Sequence, residues 1–135
     1  TILRTLDSAG MHQILLSKDT VDPYNPKVVR STMGGIYRIQ IKQVENLVEE
    51  LKEYQKGGYK VSVTSLQAEK NIYQADYHKK IIVIGNEANG VSKEVAELAD
   101  EKIKIPMLGK AESLNAAVAT SIIVYEYVRR EHFEQ

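Results

Sequence analysis

The stretch 81-IIVIGNEANGVSKEVAELAD-100 carries the reading that decides the fold. Ile81, Ile82, Val83 and Ile84 form an unbroken apolar run. A strand without polar alternation is expected where both faces of a sheet are covered, as in parallel sheets. The run ends at Gly85, and Glu87 then brings a carboxylate among the small residues Gly85, Ala88 and Gly90. Ser92 is placed to cap a short helix through Leu98. Strand, glycine-bearing loop and helix follow one another.

The same alternation extends outward. Upstream, "HQILLS" (12–17), "IYRIQIK" (36–42) and "YKVSVTS" (59–65) read as strands. In "VENLVEELKEYQKGG" (44–58), Val44, Leu47, Val48, Leu51 and Tyr54 fall at helical spacing, and Gly57 and Gly58 stop the helix. "DPYNPKVVRSTMGG" (22–35) predicts a two-turn helix with Asn25 as N-cap, Pro26 at the first helical position and Gly34 or Gly35 at its end. Downstream, "KIKIP" (102–106) is a strand closed by Pro106, and a long helix runs from about Ser113 to Glu131. That helix is rich in Ala116, Ala117, Val118, Ala119, Ile122, Ile123 and Val124. At the start, Ile2, Leu3 and Leu6 mark a helical stripe closed by Gly10. The pattern predicts an α/β domain with a mainly parallel sheet flanked by helices, spanning residues 1–135 as one unit.

Composition narrows the classes. A chain of 135 residues with 43% apolar and 27% charged residues is ordinary for one globular domain. Basic and acidic residues balance at 18 each, so net charge points to no partner. Residues 1–42 hold six basic side chains (Arg4, Lys18, Lys27, Arg30, Arg38, Lys42) against three acidic ones (Asp7, Asp19, Asp22). That excess is compatible with a polyanion on one face, and equally with a solvated surface. The absence of cysteine excludes disulfides and thiolate metal sites. Apolar runs fall short of the roughly 20 residues a membrane span needs, and no secretory signal is evident, so a cytoplasmic location is expected. The chain opens on Thr1 directly into a helical stripe, which leads us to expect that the parent protein extends upstream.

In open α/β sheets, ligands gather at the carboxyl ends of the strands. Four stretches qualify: the loop after Ser17, Thr64–Ser65, Gly85–Gly90 and Pro106–Glu112. Taken alone, "GNEANG" does not meet the dinucleotide fingerprint and reads as a turn carrying an exposed glutamate. Ser113 reads as a helix cap. Asn115, two positions further, contributes little to helix stability there and could orient a polar ligand with Ser113 at the positive helix end. Arg4, taken alone, reads as a solvated side chain. His12, His78 and His132 are isolated, so no metal site is expected. The eight tyrosines are scattered as fillers, not gathered as a stacking platform.

Three stretches together resemble the ordered motifs of the SpoU-type (TrmH-like) RNA ribose 2′-O-methyltransferases of the SPOUT superfamily. "TILRTLDSAG" (1–10) is similar to the tail of the first motif, an arginine on a helix ending in Ala-Gly. "IVIGNEANGVS" (82–92) resembles the second, and "IKIPMLGKAESLNAAVATSIIVYE" (103–126) the third. "VDPYNPKVVRSTMGGIYRI" (21–39) matches the linker region. Ala88 stands where the family usually has glycine. The asparagine and glycine of the first motif, and the first strand, would precede Thr1.

The resemblance implies a SPOUT fold with a trefoil knot at the carboxyl end, S-adenosylmethionine as cofactor, an rRNA or tRNA substrate and a homodimer with active sites at the interface. It implies that Gly85, Ile105 and Leu114 contact the cofactor largely through backbone, and that Thr64, Glu87, Gly90, Met107 and Ser113 complete its pocket. Arg4, Glu87, Ser113 and Asn115 would form the catalytic set. An arginine of ordinary pKa is a poor base, so Arg4 is expected to orient the hydroxyl or an RNA phosphate, with the family proposal of a base role left open. Two other readings stand beside this one: an RNA-binding or assembly module that keeps the fold without catalysis, and a flavodoxin-like nucleotide-binding protein.

Overall fold

The computed structural model describes residues 5, 6, 8–10, 13–17, 27–30, 40–85, 91–110 and 114–133. Thr5, Leu6 and Ser8 are helical, and Gly10, at φ 75°, turns the chain out of this first segment in the left-handed region that favours glycine. There follow β1 (Gln13–Ser17), β2 (Lys27–Arg30), β3 (Gln40–Val44), α1 (Leu47–Lys56), β4 (Lys60–Thr64), β5 (Lys70–Asn71), β6 (Lys80–Ile84), α2 (Lys93–Leu98), β7 (Glu101–Lys104) and α3 (Ala116–Val128). A wider helical turn, Arg129–Phe133, closes the described chain.

The described strands form one sheet in the order β3-β1-β2-β6-β4-β7-β5. The pairs β1/β3, β4/β6, β4/β7 and β5/β7 are parallel, whereas β2 runs antiparallel to both β1 and β6. The expectation of a mainly parallel α/β sheet is met. β6 shows why its apolar run is unbroken. Ile81 and Val83 join a cluster with Leu47 and Leu51 of α1 and Val95 of α2, while Ile82 and Ile84 join a second with Ile123, Val124 and Tyr127 of α3. Each fully buried aliphatic side chain here contributes about 1.5–3 kcal/mol.

Local signals fix the helix ends. The Asn46 side chain accepts from Glu49 N at 3.1 Å and caps α1, so Val44 ends β3 instead of belonging to the helical stripe. Gly57 caps the other end, and Gly58 leaves it at φ 95°. Ser92 caps α2, its hydroxyl accepting from Val95 N at 3.3 Å.

Two readings need correction. The helix expected from Pro26 is not formed over Lys27–Arg30, which is strand β2; Asn25, Pro26, Gly34 and Gly35 lie outside the described residues. Val28 and Val29 are β-branched, and a sheet partner on each side outweighs the local cap signal. The two-residue β5 was not expected, because so short an edge strand has no periodicity to detect.

Candidate active site

β6, β4 and β7 are consecutive and parallel in the sheet, so their carboxyl ends open on one edge. There the Thr64 hydroxyl accepts a hydrogen bond from Gly85 N at 3.3 Å, and Ser65 N donates to Ile103 O at 2.9 Å. The Thr64 oxygen takes up the Gly85 N–H and keeps its own hydroxyl hydrogen for a ligand. Gly85 itself brings no side chain to this edge. The Ser65 hydroxyl accepts from Gln67 N at 3.2 Å and shapes the loop that leaves β4.

Past β7, Ile105 packs its side chain against the α3 cluster, so it is the backbone that can face a ligand. Met107 is half-buried, while Leu108 is 99% exposed and Leu66, on the β4 loop, 68% exposed. Large apolar side chains left in water at the open edge give it an apolar wall to offer.

Asn115 is the N-cap of α3, not a residue two positions inside it. Its Oδ1 accepts from Ala117 N at 2.8 Å and Val118 N at 3.3 Å. Both partners are N–H groups, so the oxygen end is assigned and the exposed NH2 is the end left to donate. The helix accordingly starts at Ala116 rather than Ser113, and half-buried Leu114 leads into it.

The first segment docks on the same helix. Leu6 is fully buried in the α3 cluster and Ala9 packs against it. Thr5 Oγ1 and Ser121 Oγ lie 3.2 Å apart, and Ser8 Oγ and Tyr125 Oη 2.9 Å apart. One core cluster thus holds Leu6 beside the start of the chain, Ile84 before Gly85, Ile103 with Ile105, and Ala116 after Asn115. Of the residues the sequence singled out, Thr64, Gly85, Ile105, Met107, Leu114 and Asn115 are described, and Thr64 with Gly85 are joined directly. Arg4, Glu87, Gly90 and Ser113 lie outside the described residues. No local pattern signals the hydroxyl pairs, since Thr5 and Ser121 are 116 residues apart.

A polar cluster holds the opposite edge. Lys80, 3% exposed, pairs with Glu101, which also accepts from Ser62 Oγ at 2.7 Å and Lys70 Nζ at 3.3 Å. Burial pushes the Glu101 carboxyl up, but hydrogen bonds from Lys80 and Ser62 outweigh it and hold the group below the ordinary glutamate range. Arg130 donates to the carbonyls of Ala75 and Tyr73 and lies over the Tyr77 ring, 5.6 Å from its centroid. The buried Tyr77 hydroxyl donates to Ile72 O at 2.6 Å; burial, then the Glu126 charge, raises its pKa. This cluster joins the end of α3 to the sheet and lies away from the open edge. Among the described residues, no helix is long and apolar enough to cross a membrane, and no group of three or more His, Asp or Glu side chains is placed to hold a metal.

Comparison with known proteins gives a match to the model of the SpoU rRNA Methylase family over residues 1–125. The chain is 39% identical over 132 residues to the tRNA (guanosine(18)-2'-O)-methyltransferase of Aquifex aeolicus, covering 96% of this chain and 62% of that protein. It is 35% identical over 129 residues to the 23S rRNA (guanosine-2'-O-)-methyltransferase RlmB of Ralstonia nicotianae, covering 95% of this chain and 52% of that one. Among solved structures, the AdoMet-bound rRNA methyltransferase from Sinorhizobium meliloti superposes with a TM-score of 0.76 at 32% identity, over 99% of this chain and 51% of that chain. The chain therefore spans about half to three-fifths of the length of these three proteins.

Proposed function

The chain belongs to the SpoU rRNA Methylase family, and on that footing we propose that it is the methyltransferase domain of a cytoplasmic enzyme that uses S-adenosylmethionine to methylate a ribose 2′-hydroxyl of rRNA or tRNA. The observation that carries the reading is the convergence of the β6 and β7 ends with the capped start of α3 on one core cluster, with the β4 end hydrogen-bonded to both strands beside it. The open edge fits the cofactor. The Gly85 carbonyl, the Thr64 hydroxyl and the backbone at Ile105 suit the polar edges of an adenosyl group, and Leu66, Met107 and Leu108 its apolar parts.

When bound, S-adenosylmethionine supplies a methyl group already activated by its sulfonium. The residues of the chain have then mainly to bind, orient and exclude water, and such positioning can supply about 7–11 kcal/mol. Thr64, Gly85, Glu87, Gly90, Ile105, Met107, Ser113 and Leu114 would hold the cofactor. Asn115, with Nδ2 free to donate while Oδ1 caps the helix, would orient the ribose with Ser113 and Glu87. Arg4 would hold the hydroxyl or a neighbouring RNA phosphate, since a guanidinium stays charged.

The reading includes the SPOUT trefoil knot at the carboxyl end, supported by family membership and by likeness to a solved family structure over nearly the whole chain. It also includes a homodimer. Val118, Ile122 and Tyr125 fall at i, i+4 and i+7 on α3, with Val118 and Tyr125 each 47% exposed, an apolar stripe suited to a second copy.

The experiment is calorimetry with S-adenosylmethionine and its demethylated product, paired with Gly85→Trp. Binding by the parent and its loss in a normally folded Gly85→Trp is the expected result. Unchanged binding by that variant would place the cofactor elsewhere. Tritium transfer from the cofactor to a ribose 2′-oxygen of bulk rRNA or tRNA tests catalysis, and binding without transfer would favour a module that keeps the fold alone.

A further inference from the structure

The contacts between the first segment and α3 have a direction. A serine hydroxyl carries one hydrogen. That of Ser121 goes to Ala117 O at 2.9 Å, so in the 3.2 Å contact Thr5 donates to Ser121. That of Ser8 goes to Thr5 O at 2.8 Å, so Tyr125 donates to Ser8. Two hydroxyl chains result, and each ends on a backbone carbonyl: Thr5 to Ser121 to Ala117, and Tyr125 to Ser8 to Thr5. Ala117 is also the residue whose N–H holds the Asn115 carboxamide at 2.8 Å. The chain of hydrogen bonds from Thr5 thus ends on Ala117, the same residue whose N–H holds Asn115, and the two are linked through the covalent backbone of that residue.

We infer that Thr5, Ser8, Ser121 and Tyr125 are positioning residues, whose paired hydroxyls set the register between the segment that begins with Arg4 and the helix that begins after Asn115. The inference rests on the roles proposed above for those two residues. Leu6 and Ala9 already attach the segment to the core, but apolar packing has no direction and admits small sliding. Hydrogen bonds add the missing orientation. Arg4 is covalently joined to Thr5, so its backbone starts from whatever position Thr5 holds. The Thr5–Ser121 pair is part-buried within the chain, whereas the Ser8–Tyr125 pair lies at the stripe proposed to meet a second copy.

The test uses the full-length protein, in single-turnover methylation of bulk rRNA and bulk tRNA, with cofactor calorimetry and melting temperature alongside. Thr5→Val and Ser121→Ala should each slow transfer by about 10- to 100-fold, the range for a misplacement near 1 Å, with cofactor affinity unchanged. Thr5→Ser should restore most of the rate. Because the effect passes through Arg4, Thr5→Val should cost nothing further in an Arg4→Ala background. Losses that multiply, or parental rates in Thr5→Val and Ser121→Ala while Arg4→Ala is slow, would overturn the inference alone. A parental rate in Arg4→Ala would instead remove the reading beneath it. If Thr5→Val melts early, Thr5→Ser decides: recovery of rate supports positioning, and a rate still low at parental stability refutes it.

Discussion

The hydroxyl of Thr64 and the backbone N–H of Gly85 are joined across the ends of two neighbouring strands, 3.3 Å apart. The bond closes β4 onto β6 where the sheet stops, at the carboxyl ends of both strands. A local hydrogen bond thus shapes the wall of the proposed cofactor site.

Thr64→Val keeps the shape and removes the oxygen. We expect cofactor affinity to fall by about tenfold, the worth of one hydrogen bond of about 1–1.5 kcal/mol. Isothermal calorimetry checks this, and an unchanged dissociation constant would put the cofactor out of reach of β4.

Asn115 combines two duties that substitution can separate. Asn115→Ala should lose the cap, at about 0.5–2 kcal/mol, together with methyl transfer. Asn115→Asp retains a capping oxygen but lacks the NH2 donor. It should melt near the parent yet transfer at least about tenfold more slowly, as expected for loss of a donor that orients substrate. Thermal melts beside single-turnover rates distinguish the two. Parental turnover in Asn115→Asp would confine Asn115 to capping.

For Arg4, the expectation is a kinetic effect without a binding one. Arg4→Ala in the full-length protein should cut turnover by about 10²-fold or more with little change in cofactor affinity. Full activity would return Arg4 to the solvated surface.

The Lys80–Glu101 pair sets an acid limit on stability. The folded-state pKa of Glu101 lies below its unfolded value near 4.3, so its contribution is present above about pH 4.3 and is lost as pH falls through the lower folded value. Glu126 acts with the same sign, its carboxyl held low first by the Arg129 hydrogen bond, against burial. Melting temperature should therefore drop below about pH 4, and the drop should shrink in Glu101→Gln. A drop of parental size in that variant would assign the acid sensitivity to other groups.

Removing one member of that pair is also expensive at neutral pH. Lys80→Met leaves Glu101 without its buried partner and should destabilise by about 3 kcal/mol, the low end for breaking a buried pair, because Glu101 keeps Ser62, Lys70 and some water. Denaturant unfolding gives the number. A loss under about 1 kcal/mol would mean that solvent replaces the lysine.

Much of the fold was legible in the chain. The Ile81–Ile84 run announced a strand covered on both faces, and Ser92 and Gly57 sit where helix ends fall, because periodicity and capping are local physics. The motifs around Gly85 and Asn115 also carried the family, and family membership agrees. Local rules failed where distant partners decide. Lys27–Arg30 follows an Asn-Pro helix-start signal yet forms a strand, because β1 and β6 offer backbone partners on both sides. Thr5 meets Ser121 across 116 residues of sequence. Hydrogen-bond partners far apart in the chain leave no periodic trace, so only the folded arrangement of sheet and helix could choose them.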